Sequence, residues 1–173
     1  MATYEYLAAL CMNDDNLSES ELISSLEAIP IDPETLVRRD RDDEFGESLL
    51  HIAAENGRSP IFCEALHELD ATLVKSRGNY GWLPLHSACY YGRVDTAKYL
   101  CDVYPDSINI PTTVSGSYPL HSLAHRRYRD DNDENELLIF LDFLLKHDSG
   151  AVSTQDRYGG YPLHLACNKR TLA

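Results

Sequence analysis

Four stretches of the chain repeat one pattern, and this self-similarity restricts the fold more than any other feature. GESLLHIAAENG begins at Gly46, GWLPLHSACYYG at Gly81, GSYPLHSLAHRR at Gly116 and GGYPLHLACNKR at Gly159. Their histidines, His51, His86, His121 and His164, stand 35, 35 and 43 residues apart. A weaker echo, Thr35-Leu36-Val37 and Thr72-Leu73-Val74, precedes the first two histidines by similar distances. A period of this length means that one short supersecondary unit is used repeatedly. So small a unit cannot bury its own apolar side, so neighbours must stack and share a core.

The residues within each unit have a local logic. Pro84, Pro119 and Pro162 suit the first turn of a helix, where the missing N–H costs nothing and φ is already helical. Leu85, Leu120 and Leu163 follow, on the side expected to be buried. Ala53-Ala54, Ala88-Cys89, Leu123-Ala124 and Ala166-Cys167 supply mostly small side chains where helices must approach closely. Gly57 and Gly92 then end their helices in the left-handed conformation that glycine adopts most readily. Second helices are marked by Ser59-Pro60 before IFCEALHEL, by VDTAKYLCDVY closed at Pro105, and by Asp133 with Glu136 as a capping box before LLIFLDFLLKH.

These residues resemble the ankyrin repeat, a unit of about 33 residues with a turn and two antiparallel helices, marked by T-P-L-H-x-A. The resemblance implies an all-α ankyrin-repeat solenoid of stacked helix pairs with short β-hairpin loops. It covers residues 45–173 as three full repeats (45–78, 79–113 and 114–156) and one truncated repeat (157–173), whose first helix is followed by no second. The family threonine is replaced by Ser48, Leu83, Tyr118 and Tyr161, so His86, His121 and His164 must find backbone partners. The longer third unit places its extra residues in RRYRDDNDENE (126–136), read as a solvated loop. Residues 1–44 read as a degenerate N-terminal helix-pair cap, with Ser18-Glu19-Ser20-Glu21 opening its second helix.

Charge narrows the function classes. Against 15 Lys and Arg stand 28 Asp and Glu, a net charge of −13. Binding to nucleic-acid phosphates draws on clustered Lys and Arg, so no nucleic-acid partner is expected. No apolar run reaches the ~20 residues of a membrane span, and the N-terminus lacks the basic start of a secretory signal. An intracellular location, cytoplasmic or nuclear, without a membrane partner is the expectation. The five cysteines (Cys11, Cys63, Cys89, Cys101 and Cys167) are widely spaced and read as reduced core side chains.

No phosphate-binding, zinc-protease or nucleophile-elbow motif is present, so no catalytic residue, metal or cofactor is assigned. His121 and His125 share one helix face at i, i+4, but no third metal ligand is evident. The resemblance makes His51, His86, His121 and His164 framework residues and assigns partner binding to the concave hairpin and first-helix face. The aromatic residues at those positions are Phe45, Tyr80, Trp82, Tyr90, Tyr91 and Tyr158. Exposed aromatics are the usual anchors of protein interfaces. The expectation is a non-catalytic scaffold or adaptor that binds another protein and is monomeric apart from an exposed C-terminal edge. The alternative is a regulatory or substrate-recruiting segment of a larger protein whose C-terminal part lies outside this chain.

Overall fold

Helix signals and helices coincide closely. The computed structural model describes residues 4–12, 18–28, 33–37, 46–125, 134–147 and 150–170. Its helices are α1 (Tyr4–Cys11), α2 (Glu19–Glu27), α3 (Leu49–Asn56), α4 (Pro60–Leu69), α5 (Pro84–Tyr91), α6 (Val94–Val103), α7 (Pro119–Ala124), α8 (Glu134–His147) and α9 (Pro162–Arg170). Pro84, Pro119 and Pro162 each occupy the first helical position. Gly57 (φ 72°) and Gly92 (φ 68°) close α3 and α5, and the next residues turn back so that Arg58 N–H reaches Ala53 O and Arg93 N–H reaches Ala88 O. Ser59 accepts from Phe62 N–H at the start of α4, and Ser18 forms a reciprocal cap with Glu21 at α2. The Asp133 cap and most of the 126–136 loop lie outside the described residues.

The helices stack in two layers. The odd-numbered helices run α1–α3–α5–α7–α9, and the even-numbered ones run α2–α4–α6–α8 behind them. Each even-numbered helix is followed by a 3-10 turn, at Pro33–Leu36, Leu73–Lys75, Pro105–Asn109 and Ala151–Ser153. The two Thr-Leu-Val echoes fall at the first two of these turns. There Leu36, Leu73, Val74, Ile108 and Ala151 are buried and seal the space between units. One contiguous core links Leu7 and Leu26 through Leu50, Phe62 and Leu85 to Phe140 and Leu144. Each such side chain contributes about 1.5–3 kcal/mol by leaving water.

The loops between units are tighter than β-hairpins. Backbone bonds close them at Gly78 N–H to Trp82 O (2.8 Å), Thr112 N–H to Ser117 O (2.9 Å) and Asp156 N–H to Gly160 O (2.9 Å). Among the described residues the only β pairing is an isolated bridge between Val37 and Ser48. These turns also stack on one another. A Cβ on Gly81 (φ 72°) would lie 1.8 Å from Thr113 Oγ1 of the following turn, so a side chain is excluded there.

Arginines add a second link between units, one the sequence reading missed. Arg58, buried behind α3, donates to Leu10 O, Cys11 O and Met12 O, capping the C-terminal end of α1. One unit later Arg93 Nε donates to Glu55 O at the end of α3 (3.0 Å). The sequence signal is the recurring Gly57-Arg58 and Gly92-Arg93 dipeptide. A cation at a helix C-terminus is favoured by the dipole and by hydrogen bonds to carbonyls that have no partner within the helix.

The last unit is less buried than the others. Leu163, placed by its motif on the buried side, is 69% exposed, and Cys167 is an exposed thiol rather than a core side chain. Helix α9 packs on α7 through one flank. The flank that in α5 faces α7 meets solvent in α9.

Candidate functional site

His51, His121 and His164 line the base of the site, with His86 buried beneath it, and each makes backbone hydrogen bonds. In each, Nδ1 accepts the backbone N–H three residues earlier: Ser48 to His51 (3.3 Å), Leu83 to His86 (3.1 Å), Tyr118 to His121 (3.3 Å) and Tyr161 to His164 (3.5 Å). An accepting Nδ1 leaves the proton of the neutral ring on Nε2. That proton is donated across the stack, from His51 to Trp82 O (3.0 Å), His86 to Ser117 O (3.1 Å) and His121 to Gly160 O (3.2 Å). Each acceptor is the carbonyl that also closes the neighbouring turn, so one histidine fixes the register of two units. Among the described residues no carbonyl receives the Nε2 proton of His164. Burial depresses the pKa of His51 to about 4 and that of His86 to about 3, so both rings are neutral at pH 7.

Only Ser48 retains the short aliphatic hydroxyl of the family threonine, and its Oγ lies 2.7 Å from His51 Nδ1. At Leu83, Tyr118 and Tyr161 the backbone N–H alone serves, as the substitutions require. Burial raises the thiols of Cys63 and Cys101 to about 12 and pushes those of Cys11 and Cys89 up as well, leaving them protonated and unreactive. Among the described residues no three His, Cys, Asp or Glu side chains converge as a metal site. No helix among them is long and apolar enough to cross a membrane.

Above the histidines runs a groove of about 720 Å³, walled by the turns and by the odd-numbered helices from α3 to α9. Tyr80, Trp82, Tyr90, Tyr91 and Tyr158 all line it. Phe45 lies outside the described residues. Trp82 and Tyr90 meet edge to face at 5.2 Å, as do Tyr90 and Tyr91. Tyr90 also approaches His125, with ring centroids 6.3 Å apart. The half-buried Trp82 and Tyr90 form the back of this cluster. Tyr91, Tyr80 and Tyr158 reach outward, at 41%, 69% and 79% exposure.

Tyr80 is also the one non-glycine residue with positive φ (60°) among those described. An L-residue in that region costs about 1–2 kcal/mol, so the turn holds a large aromatic at its tip against the backbone's preference. Glu47, Glu55 and Asp156 contribute carboxylates to the groove lining, which among the described residues contains no Lys or Arg. Interaction with the neighbouring Glu55 carboxylate, together with burial and nearby negative charge, raises the Tyr91 phenol to about 12. Sequence reasoning found the aromatics. The repeat register also places Glu47 and Glu55 at groove positions, but not Asp156, which joins them there.

Comparison with known proteins agrees with this architecture. A family model described as ankyrin repeats (3 copies) matches residues 26–112. Over 106 residues, 60% of this chain, the sequence is 31% identical to SMC5-SMC6 complex localization factor protein 1 of Bos taurus. The matched stretch spans only 10% of that larger protein. With the family model covering half of the sequence and the same helix-pair stack recurring beyond it, the chain belongs to the ankyrin-repeat family, whose repeats serve as protein–protein interaction modules.

Proposed function

We propose that this chain is a non-catalytic adaptor that binds another protein in the groove between its turns and first helices. Tyr80, Trp82, Tyr90, Tyr91 and Tyr158 are its anchors. The observation that carries this reading is their convergence. Four aromatics from residues 80–91 and Tyr158 from the last unit line one open groove, while His51, His86 and His121 are committed to backbone partners. Large aromatics bury much area at little entropic cost, which is why they dominate interface energetics. An intracellular setting belongs to the same reading and is supported by five cysteines that all remain free thiols.

A second reading, a recruiting segment within a longer polypeptide, is favoured by one comparison. The related bovine protein is named a complex localization factor, and the matched stretch is a tenth of it. The full-length reading frame separates the two.

The groove itself is tested by changing Trp82 and Tyr91 together to Ala and measuring affinity for a captured partner by calorimetry. A loss of about 2 kcal/mol or more is expected. Circular dichroism should stay native, because both side chains lie outside the core. Full binding by the folded double variant would move the interface to another surface.

A further inference from the structure

The charge and shape of the groove narrow the kind of partner, provided the aromatic groove is the binding surface as proposed above. We infer that it takes an extended, basic peptide segment, with an Arg or Lys side chain seated between the Glu55 carboxylate and the corner formed by Trp82, Tyr90 and Tyr91.

Three observations carry this. First, the described lining has the carboxylates of Glu47, Glu55 and Asp156 and neither Lys nor Arg. Of the described arginines beside it, Arg93 donates to Glu55 O, Arg77 to Gly81 O and Pro111 O, and Arg157 to Val114 O. A cation entering the groove meets these carboxylates, and complementarity of this kind sets both partner choice and association rate.

Second, the rings stand at 64° (Trp82 to Tyr90) and 81° (Tyr90 to Tyr91), forming a corner rather than a stack. Such a corner turns more than one π face toward its opening, and π faces attract guanidinium and ammonium groups. The Glu55 carboxylate lines the same groove beside Tyr91. A carboxylate has about four acceptor sites, so interaction with one phenol leaves room for a guanidinium.

Third, the groove crosses four stacked units. At about 8–10 Å between neighbouring helices its length is roughly 24–30 Å, the span of about eight extended residues. Its carboxylates and aromatics are strung along that length from Glu47 to Tyr158, so an extended chain can meet them in turn.

The single tryptophan of the chain lies in the groove and serves as the reporter. The probes are synthetic peptides of about eight residues, alternating Gly with Arg and Lys, alongside versions carrying Gln or Glu at the charged positions. The basic peptide should shift Trp82 emission saturably, and the Glu version should not. Glu55→Gln, which keeps an acceptor for Tyr91, should weaken the basic peptide by about five-fold or more, whereas Glu64→Gln, on the exposed side of α4, should change it less than about two-fold. Equal losses in the two variants would mean that only the overall field attracts the peptide, overturning the inference. Equal binding of the Gln version would overturn it as well, while leaving the aromatic groove in place as a docking surface. Silence of Trp82 toward every peptide would also overturn it, and the Trp82/Tyr91 double variant then decides separately whether the groove binds a protein.

Discussion

Helices α5 and α9 begin with almost the same residues, Pro84-Leu85-His86-Ser87-Ala88-Cys89 and Pro162-Leu163-His164-Leu165-Ala166-Cys167. Their surroundings are opposite. In α5, Leu85, His86, Ala88 and Cys89 are at most 1% exposed, because α3 lies on one flank and α7 on the other. In α9, Leu163, His164, Ala166 and Cys167 are all exposed. The motif therefore encodes a helix with a sticky flank and a histidine aimed at the next turn. Whether that flank is core or surface depends on what stacks against it, the nearest-neighbour logic of repeat proteins.

The sharpest way to break this comparison is with paired truncations. Leu85→Ala should cost about 2–5 kcal/mol in urea unfolding, through lost transfer energy plus a cavity. Leu163→Ala should cost under about 0.5 kcal/mol, as surface changes do. Similar losses at both sites would mean that α9 is covered in solution.

The histidines come next. His86→Ala should lose about 1–3 kcal/mol, since it strands the Leu83 N–H and removes the bond to Ser117 O. His164→Ala should lose much less, having one long bond to give up. The same burial gives stability a pH dependence of known sign. His51 and His86 titrate near 4 and near 3 in the folded chain, against about 6.5 when unfolded, so below about pH 6.5 the unfolded state binds the extra protons. Their contribution is intact above pH 6.5 and falls as pH drops toward 4, by about 1.4 kcal/mol per pH unit for each histidine. His86→Gln should flatten that arm of the curve. An unchanged slope would show that His86 does not enter the folded state neutral.

The smallest effect is chemical. Cys167 should react with a thiol reagent in the native protein at a rate near that of a free thiol. Cys89, buried and protonated, should react only on unfolding. Protection of Cys167 that disappears on dilution would reveal self-association through the open flank of α9.

Much of the fold was legible because its signals are local. Proline at a first turn, glycine beyond a last turn and serine at a cap act within a few residues, and the chain displays them in the order the helices follow. The Thr-Leu-Val echo was visible too, but not its role as a 3-10 seal between units. The aromatic positions of the site were legible through the repeat register, which assigns equivalent residues to one face. The same register places Glu47 and Glu55 on that face, whereas Asp156 was not legible, because only stacking brings its carboxylate into the groove.

The sequence by itself thus determined the helices, their pairing and the shared face of the groove aromatics, since those follow from local signals and from the repeat register. Tertiary structure alone decided which copy of the motif is buried, which ring nitrogen of each motif histidine accepts and which carbonyl the other reaches, that Arg58 closes the end of a helix 47 residues earlier in the chain, and that Asp156 joins the acidic groove. The physical reason is reach: capping and helix propensity act over one turn of backbone, whereas burial, hydrogen bonds between units and electrostatic fields depend on atoms that become neighbours only when units of the chain stack.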